Sequence, residues 1–300
     1  VIGVRPLGLS PRNDPGHPFD VAGDEDAHQT RLPGGRIRYP LSMPRLAFIL
    51  VGAALAVGAS AKIVTKNVEY SEGGTSLEGF LAYDDSAQGK RPVVIVVHDW
   101  NSIDDYERSR CEMLAKLGYV AFAADIYGKS VRPKNASESA QAAGKFYGDN
   151  ALLRSRLDAA IAQAKKLPHA DSAKMAMIGY CFGGACALEA ARMGAALLGA
   201  VSFHGSLRTT NPAKPGTVKA KVLVLHGDAD PLVPKEQVEA FKKEMADAKV
   251  DLTFIGYPGA VHSFTIKGSE AAGNPAVAYN AEADTQSWEA MKRFFDAIFK

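Results

Sequence analysis

The chain has 300 residues, 47% of them hydrophobic and 23% charged, with a formal net charge of +2. That balance excludes wholesale disorder and a polytopic membrane protein, and without a run of Lys and Arg nucleic acid has no electrostatic footprint. The three cysteines, Cys111, Cys181 and Cys186, cannot all pair within one chain, which excludes a disulfide-built scaffold.

Residues 1–42 hold six Pro and six Gly and carry no apolar periodicity, so they are expected to be a disordered leader outside the fold. From Met43 the chain reads Met-Pro-Arg, then an apolar stretch from Leu46 to Gly58, then Ala59-Ser60-Ala61. A basic start, an apolar centre and an A-x-A end are the marks of a secretory signal peptide, here residues 43–61. Its 13 apolar and small residues would rise only about 20 Å as a helix, short of a bilayer core of about 30 Å, so no stable membrane span is expected. Such segments start chains. Met43 is therefore expected to be the initiator, residues 1–42 the product of an overlong gene model, and the mature protein periplasmic or secreted.

Residues 62–300 read as one α/β domain. Ile63 to Tyr70 and Ser76 to Tyr83 flank Gly73-Gly74 and predict an N-terminal antiparallel hairpin. Six short apolar runs follow, suited to strands buried on both faces of a mostly parallel sheet. They are Val93 to Val97, Val120 to Ala123, Met175 to Ile178, Ala200 to Phe203, Val222 to Leu225 and Leu252 to Ile255. Between and after them, helical spacing recurs at Leu153, Leu157, Ile161 and Ala164, at Val238, Phe241 and Met245, and at Trp288, Met291, Phe295 and Ile298. In such sheets ligands bind beyond the carboxyl ends of the strands, so the residues after each strand carry the functional signal.

After Met175 to Ile178 the chain continues Gly179-Tyr180-Cys181-Phe182-Gly183-Gly184 and then a helical pattern. This is the context of a nucleophile elbow, with cysteine where G-x-S-x-G has serine. The turn is tight, and a side chain two residues either side of the nucleophile would strike backbone; Gly179 and Gly183 occupy those places. A thiolate facing a helix start is also favoured by the free amides and the dipole. After Val222 to Leu225 comes His226-Gly227-Asp228-Ala229-Asp230-Pro231, where a carboxylate, Asp228 or Asp230, can orient an imidazole. After Leu252 to Ile255 comes Gly259-Ala260-Val261-His262-Ser263-Phe264. Nucleophile, acid and His in that chain order, each after a different strand, belong to the α/β-hydrolase arrangement.

The segments GYCFGG, HGDADPLVP and GAVHSF resemble the three active-site segments of the dienelactone hydrolase family, a cysteine-using branch of the α/β-hydrolase fold. The likeness runs from about Tyr70 to the C-terminus and includes PVVIVVHDW and GYVAFAADIYG. It implies a nucleophile at Cys181, an acid at Asp230 with Asp228 as rival, and a base at His262. It further implies an oxyanion hole from the backbone N–H groups of Trp100 and Phe182. Related enzymes pair a glutamate in the first of these loops with the resting thiol; Asp99, one methylene shorter, stands there. The family's lactone enzymes also hold the substrate carboxylate with an arginine four residues after the catalytic His. Ile266 stands at that position with Lys267 beside it, so dienelactone itself is not the expected substrate.

His98, His204 and His226 follow strands and are expected to be hydrogen-bonded loop or pocket-wall residues; without HExxH or paired-Cys spacing no metal is expected. Cys186, and Cys111 on an apolar face with Leu114 and Leu117, are expected in the core. Trp100 and Tyr147 are candidate pocket walls. The expected function is hydrolysis of a small-molecule carboxylic ester or lactone through an acyl-thioester, by a monomer without a cofactor. A general esterase or thioesterase on the same triad is the alternative, as is a catalytically silent exported binding protein.

Overall fold

A computed structural model describes residues 62–300; the expected leader (1–42) and signal segment (43–61) lie outside the described residues. In chain order the strands are β1 (Ile63–Glu72), β2 (Thr75–Asp84), β3 (Arg91–Val97), β4 (Val120–Ala124), β5 (Ala170–Tyr180), β6 (Gly199–Phe203), β7 (Lys221–Gly227) and β8 (Leu252–Tyr257). The helices are α1 (Asp105–Lys116), α2 (Ala136–Gly148), α3 (Asn150–Ala164), α4 (Phe182–Arg192), α5 (Lys235–Asp247) and α6 (Ala281–Ile298).

The strands form one eight-stranded sheet in the order β1-β2-β4-β3-β5-β6-β7-β8. β1 pairs antiparallel with β2, and β2 antiparallel with β4. Every pairing from β4 through β3 to β8 is parallel. The hairpin turn lies where the two glycines predict it. Gly73 and Gly74 have φ of 53° and 78°, and two successive positive φ values give the turn whose twist matches the flanking strands.

Alternation along the buried strands divides the core between the two faces of the sheet. Val93, Ile95 and Val97 of β3 join the side chains of α2, α3, α4 and α5, whereas Val94 and Val96 join those of α1 and α6. All six apolar runs are strands, but the strands outrun the apolar stretches. β5 begins at Ala170, ahead of Met175, because Ala170 and Asp171 pair with Arg91 and Pro92 before a register shift at Pro92/Val93. That pairing is backbone only and leaves no hydropathy trace. Leu117 departs from expectation: α1 ends at Lys116, Leu117 is its C-cap and 42% exposed, while Cys111 and Leu114 are fully buried. No helix among the described residues is long and apolar enough to cross a membrane.

Candidate active site

The site lies at the carboxyl ends of the central strands. β5 ends at Tyr180, and Cys181, the residue before α4, has φ 52° and ψ −112°. That backbone is strained for a residue with a Cβ. It persists because its neighbours leave nothing else room. A Cβ on Gly179 would stand 2.0 Å from the Gly183 carbonyl oxygen, and one on Gly183 would stand 2.1 Å from that of Val97. The two glycines therefore let β3, β5 and α4 meet at one point. Every residue of α4 is buried, which explains its run of Gly and Ala.

His262 lies between β8 and α6, with Nε2 3.1 Å from Cys181 Sγ and Nδ1 2.8 Å from Asp230 Oδ2. The Asp230 side chain is fully buried, and its Oδ1 accepts a hydrogen bond from the Leu232 N–H at 2.8 Å. Asp228, the rival acid, is exposed beside Gly256 and has no hydrogen bond to His262 among the described residues. His262 is held at its backbone: its N–H donates to Ala276 O, and its C=O accepts from the Ala278 N–H. No residue pattern announces this bridge. Burial works to lower the His262 pKa. The charge on Cys181 and the hydrogen bond to Asp230 outweigh it, and the imidazole is raised to about 10. An imidazolium here lies within charge-assisted hydrogen-bonding distance of both the Cys181 sulfur and the Asp230 carboxyl group.

The Trp100 and Phe182 N–H groups donate to no protein acceptor among the described residues. Phe182 opens α4, whose first amides have no intrahelical partner. The Trp100 carbonyl accepts a hydrogen bond from the Tyr127 hydroxyl at 3.2 Å. Below it, His98 ties the loop down: Ile126 N–H donates to its Nε2, which leaves Nδ1 to donate to Asp99 O at 2.6 Å. Tyr127 follows β4 within the IYG segment, where no residue pattern marks it as functional.

Asp99 has no hydrogen bond to the Cys181 thiol among the described residues. Its carboxylate accepts from the Asn101 backbone N–H at 2.6 Å and side-chain amide at 3.2 Å, while the Cys181 thiol is bonded to His262. Burial raises the Asp99 pKa to about 7. Behind it Glu107, fully buried, accepts from the N–H groups of Asp99 and Asp104 and is likewise raised by burial.

His204 is buried and uses both ring nitrogens. Nδ1 accepts from the Cys181 N–H at 3.2 Å, so Nε2 carries the proton donated to Thr265 Oγ1 at 2.7 Å. Thr265 Oγ1 is also 2.6 Å from the Tyr106 hydroxyl. Burial lowers the His204 pKa, which keeps the ring neutral and the acceptor available. His226 departs from expectation: its Nδ1 is buried without a hydrogen-bond partner among the described residues, and its ring packs on Phe254. Cys111 and Cys186 are buried thiols whose pKa values burial pushes up. Among the described residues no group of three or more His, Cys, Asp and Glu is placed to hold a metal ion. Ile266 lines a separate hollow with Tyr106 and Arg110, and Lys267 there lies over the Tyr279 ring.

An eight-stranded sheet of this order, with a strained residue at the turn from β5 into α4, defines an α/β-hydrolase. Residues 77–299 match the dienelactone hydrolase family, and the chain belongs to that family. It is 28% identical to a "putative carboxymethylenebutenolidase" of Synechocystis, covering 75% of this chain and 93% of the relative. Among solved structures it resembles a dienelactone hydrolase-like promiscuous phosphotriesterase from metagenomic libraries, with TM-score 0.74 and 36% identity over 80% of this chain and 99% of that one. It also resembles a "putative dienelactone hydrolase" of Klebsiella pneumoniae, with TM-score 0.66 and 25% identity over 78% of this chain and 99% of that one.

Proposed function

We propose that the protein hydrolyses a carboxylic ester or lactone through an acyl-thioester on Cys181. The observation that carries this reading is the unbroken chain Cys181 Sγ, His262 and Asp230 Oδ2, with separations of 3.1 and 2.8 Å. The thiolate attacks the substrate carbonyl carbon, and the C=O electron pair moves onto oxygen. The Trp100 and Phe182 N–H groups take that oxyanion, a role in which the loss of one donor costs other enzymes about 2.7–4 kcal/mol. The C–O bond to the leaving group breaks as His262 Nε2–H gives its proton to the departing alkoxide. In a lactone that alkoxide stays tethered. Water then gives a proton to His262 and attacks the thioester, releasing the acid and restoring the thiolate–imidazolium pair. Asp230 holds Nδ1–H throughout and fixes the ring so that Nε2 faces sulfur.

The signal-peptide reading of residues 43–61 makes the enzyme an exported one. The decisive measurement is turnover of p-nitrophenyl acetate before and after iodoacetamide, alongside Cys181→Ala. Alkylation at Cys181 and the substitution are both expected to abolish turnover. Activity that survives either would exclude the thioester route. A protein that turns over no ester or lactone would instead be a binding protein on this fold.

A further inference from the structure

A cleft of about 930 Å³ opens beside the elbow and lies within the range of small-molecule sites. Its apolar wall is made by Phe146, Tyr147, Leu153, Ala185, Leu207 and Phe241. Cys181 does not itself line it, but the first turn of the helix that follows Cys181 does. Ala185 is one helical turn beyond Cys181 and donates its N–H to the Cys181 carbonyl, and the Tyr147 ring lies 5.4 Å from the Phe182 ring. Resting on the ester hydrolysis proposed above, we infer that this cleft takes the acyl chain of the substrate, and that the chain is apolar and carries no negative charge.

The acyl side follows from which face of the sheet each group occupies. Phe146, Leu153, Cys186, Leu207 and Phe241 pack on one face, whereas Ala260 and Phe264, on either side of His262, pack on the other. His262 hands its proton to the leaving oxygen, so the leaving group lies toward its loop. The other substituent of the carbonyl carbon then points across the elbow into the cleft.

The preference for an uncharged chain follows from the charges along the wall. Glu189, Glu236 and Glu244 line the cleft against one cation, Arg208, which is exposed. Glu189 is 6% exposed; its Oε1 is bonded to Arg192, and its Oε2 has no hydrogen-bond partner among the described residues. Arg192 is also shared with Glu244, whose carboxylate it meets at 2.9 Å. A carboxylate-ended chain would enter a cleft lined by three carboxylates, two of which share Arg192, and by one exposed cation. Like charges there are costly.

The test compares p-nitrophenyl acetate, p-nitrophenyl octanoate and the mono-p-nitrophenyl ester of suberic acid, which share one leaving group. Each buried methylene favours binding about fourfold, so kcat/KM for octanoate is expected to exceed that for acetate at least about tenfold, with suberate well below octanoate. Ala240→Trp, an exposed α5 position on the cleft wall, is expected to bring the octanoate-to-acetate ratio toward unity. A second readout needs no hydrolysis: labelling of Cys181 by N-octyl iodoacetamide against iodoacetamide, each normalised to its rate with glutathione. Faster labelling by the octyl reagent, lost in Ala240→Trp, supports the cleft even if every ester fails and the hydrolytic reading falls. Equal labelling, suberate preferred over octanoate, or a chain-length preference that survives Ala240→Trp overturns it.

Discussion

At the scale of single residues, the proposed mechanism turns on the protonation state of His262. Burial alone would empty the ring of its second proton, yet Cys181 and Asp230 raise its pKa to about 10. The imidazolium should therefore persist through neutral and mildly alkaline pH. The expected profile of kcat/KM falls on the alkaline side as pH rises through about 10. Asp230→Asn removes one of the two anionic partners, so this fall should move to lower pH by about one unit or more. The same substitution frees the ring to turn or change tautomer, and kcat should drop by about 10²–10⁴. An alkaline limb that stays in place in Asp230→Asn would mean that another group sets it.

At the scale of elements, the site is a meeting of loops held together from behind. The elbow is joined to the base loop through His204, which takes the Cys181 N–H on one nitrogen and gives the other to Thr265, three residues past His262. His204 is thus a positioning residue for both ends of the Cys–His pair. Thr265→Val keeps the shape and removes the hydroxyl, leaving the buried His204 Nε2–H and Tyr106 hydroxyl without that partner. The expected cost is about 1–3 kcal/mol of stability, together with a lower kcat at nearly unchanged KM. Thr265→Ser, which keeps the hydroxyl, should restore both. If thermal stability falls in Thr265→Val while kcat does not, the link is structural only.

At the scale of the whole molecule, buried acids next to the site couple folding to pH. Asp99 holds its proton to about pH 7 in the folded chain, against an ordinary value of 3.8. Glu107 behind it is raised in the same direction. An acid raised on folding binds more protons folded than unfolded, so its stability contribution is lost as pH rises between those two values. His262 acts in the same sense over a higher window, from 6.5 to about 10. The melting temperature should therefore decline from about pH 5 toward pH 9, with the acidic part of that decline smaller in Asp99→Asn. An identical slope between pH 5 and 7 in the variant would remove Asp99 from this account.

Much of this is legible in the sequence. Strands buried on both faces must be apolar throughout, so six of them stood out as runs, and the Gly73-Gly74 turn marked the hairpin. The elbow was legible because its geometry forbids side chains at Gly179 and Gly183, and that requirement is written directly in residue types. What the residues could not convey were relations between distant segments made through backbone or buried polar atoms. The polar start of β5, the clamp of Ala276 and Ala278 on His262, the Tyr127 bond to the Trp100 loop and the His204–Thr265 link leave no periodic signal. Spacing alone leaves Asp228 and Asp230 open, two carboxylates two residues apart on one loop; the family resemblance favours Asp230, and it is Asp230 that meets His262. Residue type and order determined the family and the proposed reacting groups, because steric exclusion and burial act locally. Tertiary structure decided which carboxylate meets the imidazole and what Asp99 contacts, because hydrogen bonds depend on distances that only folding sets.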